Sequence, residues 1–261
     1  MYFEIIKKEF LQQWTYRANS ILGFLSIVLQ LIVQVSLWTF LSRSQSNISG
    51  ISYNDLIIYV VLNTVIGTFT NSNVCNDLGD KVYDGSIVID IIRPLEIKSF
   101  MLAQYFGIIV YKLIFNVIPI VIMAILALKV NFPFDLLRIC VFIIGIINAS
   151  LLFFYINYIL GLTSFWLQKI WFMRFYIYGC MALLGGSMIP IWFYPAWLDT
   201  VSKFLPFRYI IFEPIQVYIK STGWQEWAFF LFMQFLWLFV LYLIERMIWS
   251  NSERRIFIQG G

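Results

Sequence analysis

Apolar runs separated by short polar breaks recur along nearly the whole chain, near residues 21–41, 56–69, 101–128, 139–162, 175–191 and 227–244. A bilayer's hydrocarbon core takes roughly 20 apolar residues per helix, so the pattern predicts six spans. The second run is short and approaches that length by continuing through the polar residues 70–73. Before the first run, Phe3, Ile6, Phe10 and Trp14 recur at helical spacing, while Glu4, Lys7, Lys8 and Glu9 fall mainly elsewhere on the wheel. Residues 1–19 therefore read as an amphipathic helix, lying either in the membrane interface or on the cytoplasmic side. Residues 192–223 are apolar but broken: Pro190, Pro195, Pro206 and Pro214 rule out one continuous span. Irregular backbone at membrane depth must be buried in protein or line water, which short re-entrant helices satisfy. The expected fold is all-α and polytopic, a single transmembrane domain over residues 1–261 with six spans, an N-terminal interface helix and short re-entrant outer helices before the last span.

Composition agrees with this pattern. Hydrophobic residues make up 61% of the chain and charged residues 12%, against roughly 45–50% and 25% in soluble domains. No gap between spans reaches the roughly 50 residues of a small domain. Any soluble engine must therefore sit on another polypeptide. The basic excess reads as topology, not as nucleic-acid binding. With six spans, one side holds Lys7, Lys8, Arg17, Lys81, Arg93, Lys98, Lys169, Arg174, Arg246, Arg254 and Arg255. The other holds Arg43, Lys129, Arg138, Lys203, Arg208 and Lys220. The richer side is cytoplasmic by the positive-inside rule, which places both termini there. Residues 1–19 carry Glu4 and Glu9 and no cleavage site, so they are not a signal peptide.

Several chemistries are disfavoured. There is no histidine, the commonest metal ligand and general base. Cys75, Cys140 and Cys180 have neither metal nor disulfide-framework spacing. No G-x-x-x-x-G-K-[ST] loop is present to cradle a nucleotide. The spans contain no acidic cluster, which argues against both an intramembrane enzyme and a proton-coupled pump. Lys112 lies inside the third span, where a charge costs about 2.5–3.5 kcal/mol on the insertion scale. It either snorkels to the cytoplasmic interface or pairs with the segment at 74–99. Asn116, Asn148 and Asn157 read as interhelical hydrogen-bonders. The triplets Asn47-Ile48-Ser49 and Asn148-Ala149-Ser150 match the glycosylation pattern but carry no weight, the second being inside a span.

The segment at 74–99 is the longest polar stretch. Val74, Leu78, Val82 and Ile87 alternate there with charges, as in a short helix that docks into a partner's groove; the alternative is a solvated loop. Gly85 permits a sharp turn and Pro94 ends what precedes it. In the outer segment, Asp199, Lys203, Arg208 and Glu213 lie near the predicted outer interface, for pairing or for a gate.

Two stretches carry a family resemblance. Asp84-Gly85-Ser86, followed by Ile91-Ile92-Arg93-Pro94-Leu95, is similar to the G-x-x-x-x-x-L-x-R-P segment of ABC-2 type transporter permeases, with isoleucines where leucines are commoner. Gly186 with Ile189-Pro190, then Tyr194-Pro195, Leu205-Pro206-Phe207 and Pro214, is similar to their G-x-x-x-P…P…LPF…P signature. Phe165-Trp166, Arg254-Arg255 and Gly260-Gly261 also fit. The resemblance covers nearly the whole chain and is nearest to small bacterial permeases of drug or antibiotic-peptide exporters.

It implies a non-catalytic permease subunit of a type V ABC exporter in a bacterial plasma membrane. A second permease, identical or a sister subunit, pairs with it. Two separate ABC ATPase subunits bind ATP and Mg, so the chain itself carries no cofactor and no metal. The ATPase-coupling residues are then Asp77, Asp80, Lys81, Asp84, Gly85, Arg93 and Pro94. The family's path runs along spans 2 and 5, here Asn63, Thr64, Thr68 and Phe69 with Tyr176, Tyr178, Met181 and Met188. The outer hairpin is marked by Pro190, Pro195, Pro206, Phe207 and Pro214. The implied cargo is hydrophobic or amphipathic: a drug, an antibiotic peptide or a lipid-like molecule. An aromatic content of 20% suits it, though interfacial aromatic belts account for much of that. The rival readings are a secondary transporter and an accessory membrane subunit without a path of its own.

Overall fold

The computed structural model describes residues 1–44, 50–167, 169–220 and 223–259. The Asn47-Ile48-Ser49 triplet, Gln168 and the Gly260-Gly261 pair lie outside the described residues. The elements in chain order are α1 (Tyr2–Thr15), α2 (Arg17–Ser44), α3 (Tyr53–Phe69), α4 (Val74–Tyr83), α5 (Ile87–Ile92) and α6 (Ile97–Lys112). A π-helical turn, Leu113–Val117, joins α6 to α7 (Ile118–Leu126). Then follow α8 (Leu136–Leu162), α9 (Met173–Leu184), α10 (Ala196–Lys203), α11 (Pro206–Ile210), α12 (Phe212–Ile219) and α13 (Trp224–Gln259). Among the described residues there is no sheet.

Five helical stretches are long and apolar enough to cross a membrane, beginning at Arg17, Tyr53, Ile97, Leu136 and Trp224. The chain is an all-α, multi-pass membrane protein. The sixth expected run, 175–191, does not form a continuous span-length helix. The helix there is α9, of 12 residues, which at 1.5 Å per residue reaches about 18 Å of a roughly 30 Å core. It stops because Gly185 follows, Gly186 adopts a left-handed φ of +81°, and Pro190 prevents an immediate restart. The second run reaches span length by continuing past Phe69, as expected, in the stretch Tyr53–Tyr83, but the helix is interrupted on the way. It does not continue as helix through 70–73; α3 ends at Phe69 and a new helix starts at Val74.

The centre of the bundle is α3, whose side chains from Leu56 to Val61 are all at most 3% exposed. Lipid is as apolar as leucine, so this helix is not centred by a hydrophobic drive. Close van der Waals packing and interhelical hydrogen bonds do it. α2 and α13, by contrast, leave most of their apolar side chains uncovered. α8 packs on α13 and on α4. Gly145 lets Phe230 approach, and Gly161 lets Leu78 and the Cys75 carbonyl approach. One buried network ties α8, α11 and α13: the Gln234 amide donates to the Gly145 and Tyr209 carbonyls (3.0 and 2.9 Å), and Asn148 donates to Gln234 Oε1 (3.2 Å). Asn148 is thus an interhelical bonder as expected. Asn157 is not, because its amide donates to the Phe153 carbonyl of its own helix. Gln234→Leu is expected to lower stability by about 1–3 kcal/mol, since it strands buried carbonyls and Asn148; the thermal unfolding midpoint in detergent measures it.

The third span contains Pro119, which has no N–H to offer the carbonyl one turn back. The helix responds with the wide turn just before it, where the N–H of Ile118 bonds the Leu113 carbonyl. The turn begins immediately after Lys112 and includes the buried Asn116. α1 lies along α6. Phe10 and Trp14 meet Tyr111 and Phe115, with ring centroids 5.7 Å apart for Phe10–Tyr111 and 5.2 Å for Trp14–Phe115. Gln104 donates to Glu9 at 2.8 Å. A Cβ at Gly107 would stand 2.7 Å from the Ile6 carbonyl oxygen. Gly107→Val therefore has no room. It is expected to lift α1 off α6, at the roughly 1–3 kcal/mol typical of overpacking, and protease cleavage within residues 1–19 should accelerate.

The four apolar residues that the sequence singles out at 74–99, Val74, Leu78, Val82 and Ile87, do not face outward as a docking helix requires. Val74, Leu78 and Ile87 are at most 6% exposed. They pack inside the chain against Tyr158 and Leu162 of α8 and Tyr105 of α6. A helix lying against a neighbour of its own chain buries its apolar stripe there.

Candidate functional site

A cleft of about 760 Å³ opens between α1, α2, α3, the π-helical turn and α9. Its lining is polar for a membrane protein: Gln30 and Gln34 from α2, Asn63, Thr64 and Thr68 from α3, then Asn71, Lys112, Asn116 and Tyr178. Of the expected path residues, Asn63, Thr64, Thr68, Tyr178 and Met181 line this cleft. Phe69, Tyr176 and Met188 do not. Phe69 is buried in the core, while Tyr176 and Met188 are exposed. Tyr176 instead joins Phe175, Leu183 and Trp197 around an apolar groove between α9 and α10. The α2 glutamines are missing from the sequence reading, yet the signal was present. Ser20, Gly23, Ile27, Gln30 and Gln34 recur at helical spacing through an otherwise apolar run, and all line the cleft.

Two helix breaks shape the cleft, and side chains from α3 and α6 satisfy the carbonyls they free. At the end of α9, the Tyr59 hydroxyl donates to the Gly186 carbonyl and the Asn63 amide to the Ser187 carbonyl, both at 2.7 Å. Tyr59 and Asn63 are one turn apart on α3, so one helix face caps the break. Asn63 therefore spends an amide donor on the fold. At the end of α3, the Tyr105 hydroxyl donates to the Phe69 carbonyl and the Lys112 ammonium to the Asn71 carbonyl, both at 2.6 Å. Tyr178 donates to Asn71 Oδ1 at 3.0 Å. In a dry interior these freed carbonyls would each cost several kcal/mol if left unpaired.

At the end of the bundle carrying α4 and α5, the turn between the two helices is Asp84-Gly85-Ser86. Gly85 takes φ +78°, and the Ser86 N–H donates to Asp84 Oδ1 at 2.9 Å. Bonds from the Ser86 hydroxyl and then its backbone N–H hold the Asp84 carboxyl below the usual carboxylate range. Asp90, which the sequence reading did not single out, fastens α5: it is 5% exposed and pairs with Lys81 at 2.6 Å and Arg93 at 3.0 Å. Both cations also lie over the Phe100 ring. Asp77, Asp80, Asp84, Gly85, Arg93 and Pro94 are exposed and Lys81 partly so. Between them stands a strip of uncovered apolar side chains, Tyr83, Val88, Ile89, Ile91 and Ile92, the last 78% exposed.

At the opposite end, Pro195 precedes α10, Pro206 begins α11 and Pro214 lies in the first turn of α12. Pro206 and Pro214 are buried, as are Ile210, Phe212 and Ile215, while Phe207 is partly buried. Arg208 holds these helices together. It is 6% exposed, donates to Asp199 at 2.5 Å, Glu213 at 2.6 Å and the Ser202 hydroxyl at 2.9 Å, and lies over the Phe212 ring. Burial alone would lower its pKa, but the Glu213 and Asp199 charges outweigh that and hold it above the ordinary arginine value.

A family model described as an ABC-2 family transporter protein matches residues 24–260. The chain belongs to the ABC-2 transporter family. The match spans every helix from within α2 onward, so the α4–α5 pair, the proline-marked helices and the cleft apart from Gln13, Asn19, Ser20 and Gly23 lie inside an ABC-2 permease-type domain. A general role in transport goes with that family. No curated protein matches the chain. Among the described residues no group of three or more Cys, Asp or Glu side chains is placed to hold a metal ion, and the three cysteines are free thiols.

Proposed function

We propose that the chain is the membrane permease subunit of an ATP-driven exporter. Two such permeases, identical or sister subunits, flank a path, and two separate ATPase subunits dock beneath them. The observation that carries this reading is the exposed strip Tyr83, Val88, Ile89, Ile91 and Ile92, set among Asp77, Asp80, Asp84 and Arg93 on the α4–α5 pair. In an ABC-2 domain without a nucleotide-binding loop, this pair is suited to take force from a partner. Its base is anchored by Leu78 and Ile87 against α6 and α8, so a push on α5 reaches the spans. Asp84 and Arg93 flank the strip, and the cleft lined by Asn63, Thr64, Thr68, Tyr178 and Met181 is the cargo path. α9 with the turn that follows it makes a sixth crossing, the short helices α10 to α12 lie at its outer end, both termini are cytoplasmic, and the membrane is a bacterial cell membrane.

Co-expression with the neighbouring genes, followed by native mass spectrometry of the solubilised complex, tests this. Two ATPases with two permeases are expected, and the masses separate one kind of permease from two. A complex with no ATP-binding subunit would turn the reading toward a secondary transporter or accessory subunit. Asp84→Asn and Arg93→Gln should each retain membrane insertion while uncoupling ATP hydrolysis from transport; wild-type transport in both variants would remove the coupling assignment.

A further inference from the structure

The cleft has a charge pattern that bears on its cargo. Among the described residues lining it, Lys112 alone is charged, and no carboxylate is among them. The ammonium spends one of its three donors on the Asn71 carbonyl, leaving two. The same Asn71 accepts the Tyr178 hydroxyl on its side-chain oxygen. The Arg174 guanidinium in turn lies 5.5 Å from the centre of the Tyr178 ring. Asn71 and Tyr178 thus tie a cation of α6 and a cation of α9 to one end of the cleft. Neither forms an ion pair among the described residues, whereas Lys81, Lys98, Lys203 and Arg208 all do. The surrounding lining is neutral and includes the amides of Gln13 and Asn73 and the hydroxyl of Ser20. A recess with low-dielectric walls and charge of one sign focuses its field. This one attracts anions and repels cations.

Resting on the reading of the cleft as a cargo path, we propose that it takes a cargo bearing an oxyanion, a phosphate or a carboxylate, held by Lys112, with Arg174 behind Tyr178 adding to the positive field from outside the lining. A lysine ammonium with two free donors supplies a mobile point charge that suits either group. The same group can arrive as a lipid head or as a free anion.

The test is a binding measurement that needs no ATPase. The protein, purified in neutral detergent with whatever subunits accompany it, is offered phosphatidylglycerol, phosphatidylcholine or inorganic phosphate and followed by native mass spectrometry and thermal unfolding. Wild type is expected to retain phosphatidylglycerol about tenfold better than phosphatidylcholine, the size of one charge-assisted hydrogen bond. Lys112→Gln should lose most of that preference and Arg174→Gln a smaller part, Lys112→Arg should keep it, and Lys7→Gln on exposed α1 should leave it unchanged. Stabilisation by inorganic phosphate in wild type but not in Lys112→Gln, without a lipid preference, supports the same chemistry with a free anion as its source. Equal retention of both lipids with no phosphate effect overturns the proposal. So does a preference that survives Lys112→Gln, or one that Lys7→Gln removes as fully. A complex without ATPase subunits would defeat the exporter reading and leave these binding results interpretable on their own.

Discussion

Arg208→Ala is expected to destabilise the protein by about 3–5 kcal/mol, the cost of stranding one side of a buried charge cluster. The guanidinium reaches from α11 to Asp199 of α10 and Glu213 of α12 (2.5 and 2.6 Å), so its loss leaves Glu213 without its cation and Asp199 with Lys203 alone. Arg208→Lys should recover only part of the loss, because an ammonium cannot reproduce the fork that serves Asp199, Glu213 and Ser202 together. Lys203→Ala removes a more exposed partner of Asp199 and should cost no more than about 1 kcal/mol. Unfolding midpoints of the detergent-solubilised variants measure all three, and equal midpoints for Arg208→Ala and Lys203→Ala would remove Arg208 from its central place. The same cluster has a pH signature. Burial raises the Asp199 pKa, but hydrogen bonds from Lys203 and Arg208 outweigh that and hold the carboxyl below its ordinary range. A depressed carboxylate contributes stability above its unfolded value of about 4, and that contribution is lost as pH falls through the folded value. The stability gap between wild type and Asp199→Asn should therefore be present at neutral pH and narrow below about pH 4.

The second large effect is expected at the other end of the bundle. Ile89→Asp with Ile92→Asp should abolish association with the ATPase while leaving insertion and folding intact. Both side chains are more than half exposed, at 60% and 78%, so the charges they gain are solvated in the free chain. Buried in a partner's groove the same charges are desolvated and unpaired, and removing even one central anchor typically costs about 2 kcal/mol or more of binding. Co-purification of the ATPase with wild type but not with the double variant is the readout. A double variant that still carries the ATPase would move the docking surface away from α5. Leu78→Asp should behave differently. Its side chain is wholly buried, so the protein itself should fail to accumulate, separating a residue that anchors the pair from residues that present it.

Which parts of this were legible in the sequence follows from the range of the forces involved. Bilayer-length apolar runs fixed the all-α, multi-pass class, because hydrocarbon forces every backbone group into a helix whatever its neighbours are. Gly85 and Pro94 marked the α4–α5 turn and its end, and Pro195, Pro206 and Pro214 marked the short helices, since missing N–H groups and left-handed backbone are local properties. The order of the glycine and proline motifs placed the chain near its family before any contact was known.

Other features depended on which helix faces which. The sequence gives Asn63 and Asn157 the same amide, yet one caps a break on α9 and the other bonds its own helix. It gives Leu78 and Ile89 the same apolar character, yet α8 covers the first and nothing in the chain covers the second. Lys112 stood out as a lone charge, but its carbonyl partner at Asn71 and its tie to Arg174 required α3, α6 and α9 to meet. The run at 175–191 had nearly the composition of a span and became a 12-residue helix. Side chains of α3 satisfy the carbonyls freed at its break, an exchange that only neighbours in space can make. Local backbone chemistry and the solvent's demand for hydrogen bonds are written residue by residue, and the sequence determined them alone. The polar cleft, the buried arginine and the exposed strip on α5 are sums over distant residues, and tertiary packing decided them.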